Sequence, residues 1–128
     1  MAYGSKYARA LQRTRGAIDP GLFRNLAELN QAIKAQGGTL ILYMPPLMPG
    51  LEQAFLKQPQ LSANLLRTKR ELNDWAAAND AIVLDFGQSE KFGCAAEEFL
   101  DEHHAVGSCY RKIFGEFWNT QTGKGLSK

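Results

Sequence analysis

An α/β fold, a parallel sheet layered with helices, is predicted from three observations. Two short runs, residues 39–44 and 81–86, are apolar almost throughout, and each follows an amphipathic segment. A continuous apolar run, as opposed to strict alternation, marks a strand covered on both faces of a parallel sheet. The two runs are joined by a helix-length stretch instead of a tight turn, which is the connection that parallel strands need. The order is therefore helix, strand, helix, strand.

The elements follow in turn. Residues 1–19 are small, polar and basic, with Tyr3 and Tyr7 as anchors, and read as a basic arm ended by Asp19-Pro20-Gly21. Leu22, Leu26, Leu29 and Ile33 recur at steps of four, three and four, the stripe of an amphipathic helix that Gly37-Gly38 stops. The first strand, 39–44, is ended by Pro45-Pro46. Residues 47–58 form a rim connection with a short helix over 51–56, closed before Pro59. A second long helix is expected over 61–78, with Leu61, Leu65, Leu72, Trp75 and Ala76 on one side. Asn79-Asp80 ends it before the second strand, 81–86. A last helix over 106–118 is expected to turn Ile113, Phe114, Phe117 and Trp118 inward, leaving 120–128 as a flexible tail. Residues 20–119 thus read as one α/β domain. Two parallel strands alone make too small a sheet, so strands are expected to be missing or supplied by another copy.

Composition narrows the function classes. The 128 residues are 45% hydrophobic with a net charge of +2, enough apolar material for a modest core. The basic residues are dispersed over 6–15, 67–70 and 111–112 and read as solvated faces, so no nucleic-acid partner is expected. No apolar run approaches the roughly 18 residues of a membrane span. The opening Met-Ala-Tyr-Gly-Ser-Lys lacks an apolar signal core, so an extracytoplasmic location would require a segment upstream. Cys94 and Cys109 bracket the only histidines without forming a close-spaced pair, a pattern that favours free half-buried thiols over zinc or a single disulfide.

Chemistry concentrates in Asp101-Glu102-His103-His104. A carboxylate three residues before an imidazole can orient it and stabilise its charged form, so Asp101 would hold one nitrogen of His104 while the other takes a proton from a hydroxyl or water. Glu102 and His103 would point away or line the rim. Ligands of open α/β sheets bind beyond the carboxyl ends of the strands, where Pro45-Pro46, Asp85 and the 101–104 loop are expected to converge. Asp85 suits a loop-fixing carboxylate better than an acid catalyst. A bland alternative has Asp101 merely capping the last helix. Metal at His103, His104 and Asp85 lacks a recognisable ligand spacing, and no cofactor is expected.

The block Asp101-Glu102-His103-His104 before a closing helix resembles the last block of SGNH/GDSL-type hydrolases, Asp-x-x-His. The apolar strand ending in prolines at 40–46, Leu72-Asn73-Asp74-Trp75-Ala76 and Ile82-Val83-Leu84-Asp85-Phe86 are similar in context, so the resemblance covers about residues 22–118. It implies an SGNH/flavodoxin-like sandwich, here apparently a C-terminal half, and ester hydrolysis or O-acyl transfer with His104 as base and Asp101 as its partner. The implied substrate is an acylated carbohydrate or other small ester. The family's Gly-Asp-Ser and Gly-x-Asn-Asp blocks do not occur, and Ser5, Ser62, Ser89, Ser108 and Ser127 stand in other contexts. The chain is therefore expected to be truncated or inactive alone. The alternative is a non-enzymatic assembly module that forms a homodimer, or recruits a partner chain, through an open sheet edge.

Overall fold

A computed structural model of the chain describes residues 18–121. The basic arm up to residue 17 and the tail from 122 lie outside the described residues. The fold is mixed α/β, with helix predominating and two sheets of two strands each among the described residues. In chain order it contains α1 (Pro20–Ala35), β1 (Ile41–Met44), α2 (Leu51–Leu56), α3 (Pro59–Ala78) and β2 (Ile82–Asp85). Two 3-10 turns follow at Ser89–Phe92 and Ala96–Glu98, then β3 (Phe99–Asp101), β4 (His104–Ala105) and α4 (Gly107–Gln121). No described helix is long and apolar enough to cross a membrane.

The chain divides into two compact units, and each is taken by itself. In the first, made of residues 18–43 and 55–84 among those described, α1 starts where Asp19 accepts a hydrogen bond from the Gly21 amide (2.9 Å) and Pro20 occupies the first turn. An Asp cap followed by Pro satisfies an orphan amide and fixes φ for the helix, so Asp-Pro-Gly is a helix start. The end is set at Gly37, whose φ of +80° suits glycine, with Gly37 and Gly38 amides closing onto Lys34 and Ile33 carbonyls.

The apolar stripe of α1 is rotated from the expected one. Leu22 and Leu29 are about half exposed, whereas Asn30 is buried. The inner face carries Phe23, Leu26, Asn30 and Ile33 instead, and Phe23 stacks on Trp75 with ring centroids 6.1 Å apart. Asn30 is tolerated there because its Nδ2 donates to the Asn79 carbonyl at the end of α3 (2.8 Å). The expected inner residues Leu61, Leu65 and Ala76 of α3 are buried, together with Leu40 and Phe55.

β1 and β2 pair in one two-stranded sheet. Ile82 N donates to Leu40 O in the first unit, and Phe86 N donates to Met44 O in the second, so both partners advance together as in a parallel pair. The expectation that the first strand is covered on both faces is not met: Ile41 and Tyr43 are 36% and 48% exposed.

The second unit comprises, among the described residues, 44–54 and 85–121. Its core is Leu47, Leu51, Phe86, Phe99, Cys109 and Ile113, with Phe86 edge-on to Phe92 and Phe114 at 5.3 and 5.4 Å. Such edge-to-face pairs add to the area term. Cys109 and Ile113 are fully buried one turn apart on α4. Trp118 lies about 140° round the helix from Ile113 and is 49% exposed, so it does not turn inward as expected. The Phe117 side chain lies outside what is described.

The reading of Cys94 and Cys109 as free thiols is overturned: they form a disulfide. Their Cα atoms stand 5.2 Å apart because the buried stripe of α4 places Cys109 against the segment that leaves the first 3-10 turn. Closing a loop with a sequence separation of 15 removes unfolded-chain entropy worth about 3 kcal/mol. Urea denaturation with and without a thiol reductant checks this: Cys94→Ala/Cys109→Ala should lose about that much stability, and reductant should affect only the wild type.

Candidate functional site

The site is built on a hairpin that periodicity alone does not disclose. β3 and β4 are antiparallel, with Asp101 paired to His104 and Phe99 to Ala105. Glu102 and His103 form the two-residue turn between them. A tight turn brings residues i and i+3 together, so the Asp-x-x-His spacing makes its two ends cross-strand partners. Asp101 lies in β3, six residues before α4 begins, and does not cap that helix.

Asp101 accepts two hydrogen bonds. Its Oδ1 takes the His103 amide (2.9 Å), an Asx turn, and its Oδ2 meets His104 Nδ1 at 2.7 Å. These bonds, the backbone one first, hold the Asp101 carboxyl below its ordinary range, so it stays ionised at neutral pH. An ionised carboxylate only accepts, so His104 Nδ1 must be the donor. The lone pair of the neutral ring then sits on Nε2, on a half-exposed side chain. His103 Nδ1 stands 3.6 Å from Asp101 Oδ1, and the two imidazole rings are 4.1 Å apart between centroids.

The three segments expected to converge do so within the second unit. Leu47 N donates to Gly87 O, Leu47 bridges Gln88 in parallel, and Met48 N donates to Glu102 O at 2.9 Å. The strand-end loops are thereby stitched to each other and to the turn. The residues within them play different parts. Pro45 is exposed, whereas Pro46 is fully buried and belongs to the core. Asp85 is exposed at the end of β2, and its Oδ1 accepts the Gly87 amide at 2.9 Å, the loop-fixing role.

Two carboxylates that sequence reasoning passed over support this frame. Glu52 on α2 is buried, and its Oε1 lies 2.5 Å from where a Cβ on Gly87 would sit, so a side chain at position 87 would displace the Glu52 carboxylate. A Glu in the first turn of a short helix ordinarily signals favourable charge and nothing more, which hid it. Glu98 is the second. Its Oε1 accepts the Ala95 amide and Lys112 Nζ (3.0 and 2.6 Å), its Oε2 accepts the Ser108 hydroxyl, and its carbonyl accepts Val106 N. It clamps the start of α4 two residues past the hairpin.

Two of the three described serines are otherwise committed, and the third lies in the first unit. Ser89 is fully buried and donates to Leu47 O, Ser108 donates to Glu98, and Ser62 is part of α3 in the first unit. Among the described residues no serine hydroxyl is hydrogen-bonded to His104. The arrangement is that of an oriented proton acceptor at the tip of a braced hairpin.

Comparison with known proteins adds no kinship: no family model matches the chain, and no curated protein or solved structure is detectably similar to it.

Glu98 gives the frame a pH dependence. Lys112, then Ser108 and the Ala95 amide, lower its pKa from an ordinary 4.5 to about 2. A depressed carboxyl stabilises the fold above its unfolded pKa, and that contribution is lost as pH falls from about 4.5 to about 2. Urea midpoints measured across pH should show Glu98→Gln weaker than wild type at pH 7, with the gap closing towards pH 2.

Proposed function

We propose that the chain carries the base half of an acyl-transfer centre of the SGNH type, acting on acylated carbohydrates or other small esters. The single observation behind this reading is the 2.7 Å contact of Asp101 Oδ2 with His104 Nδ1, made by a carboxylate already fixed to the backbone. His104 Nε2 takes the proton of a hydroxyl or water as that oxygen bonds to the ester carbonyl carbon. The imidazolium, stabilised by Asp101, returns the proton to the departing alkoxide as the ester C–O bond breaks. The nucleophile comes from residues outside those described, from another chain, or from water. The fold that goes with this reading is an SGNH/flavodoxin-like sandwich of which the β1–β2 pair would be part.

Two measurements on the full chain test it. In 15N-resolved NMR the neutral form of His104 should carry its proton on Nδ1, and Asp101→Asn should shift the population towards the Nε2–H tautomer. Hydrolysis of p-nitrophenyl acetate should fall to background in His104→Ala and at least tenfold in Asp101→Asn. Wild-type turnover no faster than that of His104→Ala, together with an Nε2–H tautomer, would end the proposal.

The half-exposed Ile41 and Tyr43 favour a second reading, in which the chain is an assembly module whose β1 edge pairs with a second copy. The edge of a two-stranded sheet can offer backbone donors and acceptors to another strand. Sedimentation at micromolar concentration should then show a dimer that Tyr43→Lys converts to monomer. A monomeric wild type would rule the pairing out.

A further inference from the structure

We propose that Asp101, His103 and His104 form a three-donor site for a late first-row divalent cation such as Zn2+. The proton-acceptor reading uses Asp101 and His104 and leaves His103 without a part. Consecutive side chains of a strand point to opposite faces, which would separate the two imidazoles. His103 sits instead in the turn, and the turn folds its ring back to 4.1 Å from that of His104, on the side where Asp101 lies. One nitrogen of each ring and one carboxylate oxygen of Asp101 lie within 4.8 Å of one another.

The donor chemistry selects the cation. Two imidazoles and a carboxylate suit zinc, copper or nickel and disfavour Mg2+ and Ca2+, which take oxygen. Zinc bonds of about 2.0–2.1 Å place tetrahedral ligands roughly 3.3 Å apart, so the three donors need only close in by side-chain rotation. That rotation is open to them, since His103, His104 and Asp101 side chains are 36%, 61% and 50% exposed. The backbone beneath them is already held, by His103 N on Asp101 and by Met48 N on Glu102 O. Three protein ligands leave a fourth position for water or an exogenous group, as in catalytic zinc sites. The sequence reading sets Asp85 beside the two histidines as the third ligand, without a recognisable ligand spacing. The geometry puts Asp101 there instead, because Asp85 is tied into its own turn at Gly87.

The inference needs no ester turnover, and it is read by binding alone, so either this or the acyl-transfer proposal can fail without the other. Untagged full chain is titrated with ZnCl2 by calorimetry, with MgCl2 in parallel, and with Co2+ by visible absorption. The expected result is one Zn2+ per chain, negligible Mg2+ uptake and the visible bands of tetrahedral Co2+. His103→Gln, His104→Gln and Asp101→Asn, each first checked for an unchanged thermal midpoint, should weaken Zn2+ at least tenfold, and Glu102→Gln should not. No saturable uptake, equal uptake of Mg2+, or Zn2+ binding indifferent to the three substitutions would overturn it.

Discussion

The start of α4 is held from two directions, and the geometry of the second unit depends on that grip. The disulfide fixes Cys109 to Cys94, while Glu98 gathers Ser108, Lys112 and the Ala95 amide on one carboxylate. Because β3 begins immediately after Glu98 and β4 ends just before α4, the hairpin has both its ends anchored. A two-strand hairpin is marginal on its own in water. Anchored at both ends, it need only form its turn, and the turn is closed by the carboxylate that also meets His104. Covalent, ionic and local hydrogen-bonding constraints therefore act in series along about 20 residues.

The helices and the first two strands are legible because their signals are periodic or punctuated: leucines at helical steps, the Gly37-Gly38 pair after α1, and Pro45-Pro46 at the end of β1. What was misread has physical causes. Asn30 occupies a core position through one backbone hydrogen bond, and that pairing partner lies 49 residues away, beyond any local pattern. Ile41 and Tyr43 looked buried because apolar runs usually are, but side chains carry no record of what covers them. The cysteine bond depends on a helix face meeting a distant loop, which spacing does not encode.

The candidate site was more legible than its frame. Asp101 and His104 were picked out by their spacing, and a tight turn is the simplest structure that makes that spacing a contact. Glu52 and Glu98 were not, since each looks like an ordinary acidic helix residue until its acceptors are traced. His103 reads from sequence as a rim or surface residue, and only the turn shows its ring beside that of its neighbour.

The Asp101–His104 contact joins residues only three apart. Closing so short a loop costs little chain entropy, and both partners of the contact come from one turn. Oriented imidazoles usually depend on partners brought together by a whole tertiary fold. This one is made within a local stretch of chain, yet the hairpin beneath it is anchored by the Cys94–Cys109 bridge, by Glu98 and by Met48 N on the Glu102 carbonyl, so the pair and that short frame form one transferable unit.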